Sequence, residues 1–131
     1  MWMTAPAKSV LVVDPDPAAQ QQIMACLSGR YRLLTAASLR EALRIIAQAQ
    51  PRALITEVNQ PDGDGIQLIE QLRSDPTTKS MILICVTTRR AIQDKVRGFQ
   101  AGADDYVIKP INPESFPIRL ALLERLRRLT T

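Results

Sequence analysis

The sequence predicts one α/β domain, a (βα)5 three-layer sandwich with a parallel sheet between two layers of helix. Three observations carry this. Apolar runs and helix-patterned segments alternate five times along the chain. The runs are mostly unbroken rather than alternating, as in strands covered on both faces. Connections are short, and no linker or low-complexity tract interrupts the 131 residues, a length suited to a single core. The domain is expected over residues 9–129, after a tail at residues 1–8.

The first strand is "SVLVVD", residues 9–14. Asp16 then reads as an N-cap with Pro17 at the first helical position, opening a helix that runs through Leu27 to a stop at Gly29. "YRLLTA" (31–36) is the second strand. Ser38 and Glu41 form a capping box before Leu39, Ala42, Leu43 and Ile46, which share one helical face, and Pro51 closes the unit. "ALITEV" (53–58) is the third strand. A short helix carrying Ile66, Leu68, Ile69 and Leu72 stops before Asp75-Pro76. "MILICVT" (81–87) is the fourth strand, and "RRAIQDKVRGFQAG" a helix with Gly102 as its stop. "DYVIK" is the fifth strand, and residues 113–129 the fifth helix. Pro117 fits that helix only if it starts late or is distorted at its start.

In sheets of this kind the site lies outside the carboxyl ends of the strands. This chain places Asp14 and Asp16 after strand 1, Glu57 at strand 3, Thr87 and Thr88 at strand 4, and Lys109-Pro110 at strand 5. Singly, each has a structural reading: Asp16 caps a helix, Thr87 suits a strand, and Lys109 would be a solvated amine. Three acids, a hydroxyl and a lysine converging on one rim make a site.

Composition narrows the chemistry. The chain has no histidine, which removes His-based acid–base catalysis, Ser-His-Asp triads and His-type zinc sites. Cys26 and Cys85 lie in apolar segments and read as reduced, buried thiols of a cytoplasmic protein. No apolar stretch is long enough to span a bilayer, and "MWMTAPAKS" has no secretion-signal pattern. The net charge of +4 raises the question of nucleic acid. The arginines of "LLERLRRL", however, suit the wet face of an amphipathic helix, aromatics are few, and direct nucleic-acid binding is disfavoured.

The stretches "VLVVDPDP", "PRALITEVNQPDGDG", "VTT" and above all "DKVRGFQAGADDYVIKPI" resemble the receiver domain of bacterial response regulators over nearly the whole chain. The resemblance implies a flavodoxin-like sheet of strand order 2-1-3-4-5 and a role in two-component phosphorelay signalling. It implies a non-enzymatic module that receives a phosphoryl group from a histidine kinase on an aspartate ending strand 3. Two acids after strand 1 would help that aspartate hold Mg²⁺. By the same resemblance Asp14 is the first acid, Thr87 and Lys109 are the phosphate-site residues, Tyr106 is the switch aromatic, and Lys109-Pro110 is a cis peptide.

Two positions depart from the family. Glu57 stands where the family has its acceptor aspartate, and Pro15 where it has the second metal-binding acid. Glutamate keeps the charge but carries the carboxylate out by one methylene, and a misplacement of about 1 Å can cost about a hundredfold in rate. Proline removes a ligand from an ion that demands near-octahedral oxygen geometry, and Asp16 is claimed by the helix start. Mg²⁺ at Asp14, Asp16 and Glu57 is therefore expected to be weak or absent, with no other cofactor. The longer carboxylate is expected to pair directly with Lys109 and imitate part of a phosphorylated state.

The reading that follows is a pseudo-receiver acting by phosphorylation-independent protein–protein interaction. Two alternatives stay open: a conventional receiver using a neighbouring carboxylate, and a haloacid-dehalogenase-like phosphatase using Asp14 and Asp16. The resemblance implies partners such as a histidine kinase or a downstream output protein. It also implies a face of helix 4, strand 5 and helix 5 that serves dimers; here Arg97, Arg119 and other basic residues outnumber Asp94, Asp104, Asp105 and Glu124.

Overall fold

The unbroken apolar runs of the three central strands fit a parallel sheet because neither of their faces meets water. A computed structural model describes residues 8–130, so the tail expected at residues 1–8 lies, Lys8 apart, outside the described residues. The strands are β1 (Ser9–Val13), β2 (Arg32–Ala36), β3 (Ala53–Thr56), β4 (Ile82–Thr87) and β5 (Asp105–Ile108). They form one parallel sheet in the order β2-β1-β3-β4-β5. The helices are α1 (Pro17–Leu27), α2 (Leu39–Ala49), α3 (Gly65–Ser74), α4 (Ile92–Ala101) and α5 (Ser115–Thr130).

The two-residue period of a strand sorts the core into two layers. Leu11, Val13, Leu54, Leu83 and Cys85 face Ala42, Ile46, Ile66, Ile69 and Leu72 of α2 and α3. Val10, Val12, Ile55, Ile82 and Ile84 face Ile23 and Leu27 of α1 and Phe116 and Leu120 of α5. Cys26 and Cys85 are free thiols; Cys85 is buried as expected, and burial above all pushes it up to about 12, whereas Cys26 is only partly buried. Among the described residues no helix is long and apolar enough to cross a membrane.

Several boundaries differ from the expectation, each for a local reason. β3 ends at Thr56, so Glu57 sits just past the strand. The loop after it folds back as a short antiparallel ribbon, Asn59–Gln60 against Gly63–Asp64. α4 begins at Ile92 rather than in the preceding arginines, and Ala91 before it supplies no side-chain cap. Gly102 ends α4 as expected, at a φ of 115° that favours glycine. The first turn before α5 is capped by Asn112, whose Oδ1 accepts the N–H groups of Glu114 and Ser115. Phe116 donates to the Asn112 carbonyl, and Pro117, lacking an N–H, leaves the next bond unmade.

At the amino end of the sheet two acids fasten the layers. Asp104 accepts from Arg73 of α3, Arg127 of α5 and the Leu83 N–H of β4. Glu124 is buried and bound to Lys8 and Tyr31, so it belongs to the α1 side of α5 and not to the face shared by α4 and β5.

α3 docks directly under the third strand end. A Cβ on Gly65 would lie 2.2 Å from the Glu57 carbonyl oxygen, so only glycine permits this approach. Gly65→Ala is expected to lower stability by about 1–3 kcal/mol in urea unfolding. Unchanged stability would show that α3 can shift without disturbing the loop that carries Glu57.

Candidate functional site

Backbone hydrogen bonds carry the sheet past the last strand residues and so place the side chains of the rim. The Glu57 N–H donates to Val13 at 2.9 Å, Asp14 to Ala36 at 3.0 Å, and Lys109 to Thr87 at 2.8 Å. Gln20 of α1 holds the Asp14 and Ala36 carbonyls, and Gln60 reaches back to those of Val13 and Glu57. These anchors leave the carboxylates little freedom.

Lys109 lies between two acids. Its Nζ is 2.8 Å from Asp14 Oδ2 and 2.8 Å from Glu57 Oε1. Asp14 is 2% exposed and Glu57 6%, while the lysine side chain is 19% exposed. Each carboxylate turns its other oxygen to a backbone donor, Asp14 to the Asp16 N–H at 2.9 Å and Glu57 to the Asn59 N–H at 3.0 Å. One ammonium thus serves two buried carboxylates, and backbone N–H groups meet the remaining negative charge.

Burial, the largest influence on Glu57, pushes its carboxyl up. Lys109, the Thr87 hydroxyl and the Asn59 N–H outweigh it and hold the group below its ordinary value of 4.5. Burial pulls the Lys109 ammonium down, but its bonds to Asp14 and Glu57 hold it above 10.5. Tyr106 is buried with its ring beside Gly98, and its hydroxyl donates to the Arg89 carbonyl at 2.9 Å. Burial first of all pushes Tyr106 up to about 12. The Lys109–Pro110 peptide is cis.

Asp16 does not join this cluster. Its Oδ1 accepts the Ala18 N–H at 3.0 Å and caps α1, and Pro15 offers no oxygen from its side chain. Thr88 is exposed beside the site. Both inward carboxylates, Asp14 and Glu57, are engaged by the Lys109 ammonium, which a hard cation at the rim would have to displace. Among the described residues no group of three acids, cysteines or histidines is placed to hold a metal.

Sequence reasoning missed two contributors and one contact. Lys109 was paired with Glu57 but not with Asp14. Asn59 looked like a loop residue and Arg89 like the start of the fourth helix, yet Arg89 Nε donates to Asn59 Oδ1 at 2.9 Å across the mouth of the site. Only their positions just after two strand ends signalled this.

Comparison with known proteins places this geometry in context. The profile of the response regulator receiver domain matches residues 10–121. Response regulator MprA of Mycolicibacterium vanbaalenii is 38% identical over 122 residues, covering 92% of this chain and 51% of that protein. Response regulator Rre1 of Synechocystis is 31% identical, covering 81% of this chain and 47% of its own length. The chain thus spans about half the length of these relatives. Among solved structures, a response regulator from Chloroflexus aurantiacus superposes with a TM-score of 0.84 at 35% identity, covering 89% of this chain and 97% of that one. Vibrio cholerae chemotaxis protein CheY4 gives 0.82 at 29% identity, covering 89% and 98%.

The ion cluster sets a pH dependence. Glu57, held below its ordinary value, contributes stability above about pH 4.5 that is lost as pH falls through its folded value. Lys109, held above its ordinary value, contributes stability below about pH 10.5 that is lost as pH rises through its folded value. Lys109→Met leaves two buried carboxylates without a cation and is expected to cost about 3–5 kcal/mol at neutral pH. The deficit should shrink as the pH is lowered toward 5, where protonation relieves the unpaired acids. An equal deficit in urea unfolding at both pH values would contradict this assignment.

Proposed function

The chain belongs to the response regulator receiver family, and from that premise we propose a pseudo-receiver that holds a fixed ion pair where other members carry a phosphoryl switch. Its role in two-component signalling is then phosphorylation-independent protein–protein interaction. One observation carries the reading: Lys109 Nζ lies 2.8 Å from Glu57 Oε1 with no change of state required. A carboxylate there offers one charge and two oxygens where an acyl phosphate offers more of both, so the imitation is partial. Mg²⁺ binding is weak or absent on this reading, because both inward carboxylates already hold an ammonium. The phosphatase alternative loses support from the engagement of Asp14 with Lys109 and of Asp16 with the α1 start. The same engagements count against a neighbouring carboxylate as phosphate acceptor. A cytoplasmic location follows from the family role.

The partner face is that of α4, β5 and α5. Ile92, Val96 and Phe99 of α4 and Ile118, Leu122 and Leu126 of α5 are large apolar side chains half or more exposed, or nearly so. The acids of this face are already used internally: Asp94 by Arg89 and Arg97, Asp104 by Arg73 and Arg127, and Asp105 by Arg119. What it presents outward is apolar rows with Arg90, Lys95 and Arg125 near them. A second copy of the chain would set like charges together, so the fitting partner is a kinase or output protein with an acidic rim.

Incubation with acetyl phosphate and Mg²⁺ is expected to leave the intact mass unchanged. A stoichiometric, base-labile phosphoryl adduct would overturn the pseudo-receiver reading. Restoring Glu57→Asp together with Pro15→Asp should create Mg²⁺ affinity measurable by calorimetry, and no gain would contradict the account of the site. The free chain should sediment as a monomer at micromolar concentration. A dimer that Leu122→Asp dissolves would replace the acidic partner with a second copy.

A further inference from the structure

Arg89 contacts four residues around the mouth of the site, Thr87, Tyr106, Asn59 and Asp94. Its N–H donates to Thr87 Oγ1 at 3.3 Å, and its carbonyl accepts the Tyr106 hydroxyl at 2.9 Å. Its guanidinium spans two elements, with Nε 2.9 Å from Asn59 Oδ1 and Nη1 3.3 Å from Asp94 Oδ1 in the first turn of α4. Asn59 in turn donates its N–H to the second oxygen of Glu57. A continuous chain of polar contacts therefore runs from the carboxylate at 57 through Asn59 and Arg89 to Asp94.

The receiving end of that chain is the uncapped start of α4. α4 has no side-chain cap at Ala91, and its first backbone N–H groups to be paired, those of Asp94 and Lys95, donate only to the Ala91 carbonyl. Asp94 also faces Arg97, at 3.9 Å, and Arg97 is itself paired with Asp64 before α3. Arginine suits the bridging role because its planar fork donates in two directions, which a lysine ammonium at the same reach cannot reproduce. The strap is 41% exposed at Arg89, so its contribution to global stability is small and its effect falls on position.

We propose that Arg89 is a positioning residue that couples the charge at Glu57 to the first turn of α4. This deepens, and rests on, the reading of Glu57 as a fixed charge. It gives that charge a route to one edge of the partner face.

A double-mutant cycle read by amide NMR tests it. Glu57→Gln removes the charge with little change of shape, and should shift the amide signals of Asp94 and Lys95. In an Arg89→Ala background the same substitution should shift them about threefold less or smaller still. Arg89→Lys should behave like Arg89→Ala, because it keeps the charge but loses the fork. Asn59→Ala cuts the chain at an exposed residue and should move the same α4 signals, which keeps the test open should Glu57→Gln unfold. Equal shifts with and without Arg89, or no shift at α4 from either substitution, would overturn the proposal. The Lys109 ammonium signal separates the two readings. If Glu57→Gln leaves it unmoved, the fixed ion pair fails; if it moves while α4 ignores Arg89, only the coupling fails.

Discussion

Two carboxylates are buried at the carboxyl end of the sheet, and a single lysine reaches both. That arrangement is costly unless every remaining lone pair is met. The rest of the rim answers this demand. The Asp16 and Asn59 N–H groups take the outer oxygens, and Thr87 adds a hydroxyl. Gln20 and Gln60 pin the backbones that carry the acids, and Gly65 lets α3 come close enough to hold the loop. Change one member and an unpaired charge is left in a dry place.

On the proposed pseudo-receiver reading, the same constraint lets a receiver scaffold serve without a reversible modification. In a switch, charge arrives and leaves, and packing beyond the site follows it. Under the proposal the charge is covalently part of the chain, so the loop after β4 and the start of α4 would see a constant field. Tyr106, buried with its hydroxyl on the Arg89 carbonyl, shares in that constancy. The surface proposed for partner selection is then the exposed apolar rows of α4 and α5 with the basic residues near them.

Much of the fold was legible in the sequence because its strands are short continuous apolar runs and its helices carry explicit caps. Asp16, Ser38 and Gly102 perform the roles that their residue types announce. The start of α5 was harder. Pro113, Ser115 and Pro117 allow two registers, and the choice falls to Asn112, whose side chain is a cap only in three dimensions. The convergence of Asp14, Glu57, Thr87 and Lys109 followed from the topology of a parallel sheet. The Glu57–Lys109 contact was also expected, from the longer carboxylate; the second contact, to Asp14, was not, because a lysine's reach across three neighbouring strands depends on rotamers that no spacing encodes. Arg89 was invisible for a related reason: among many arginines, nothing local marks the one that turns inward over the rim. Glu57 and Pro15 stood out only against the pattern of the family, since an acid ending a strand and a proline opening a helix are each unremarkable.

The central claim is that the Lys109 ammonium belongs permanently to Glu57 and Asp14. Its ¹⁵N-labelled side-chain signal reports this directly, since an ammonium held by two buried carboxylates exchanges its protons slowly and shifts away from solvated lysines. Titration with Mg²⁺ to tens of millimolar, well above the range of most oxygen-ligand sensor sites, is expected to leave that signal in place. A saturable displacement, with Lys109 moving to the position of a solvated lysine as Mg²⁺ takes its carboxylates, would contradict the account.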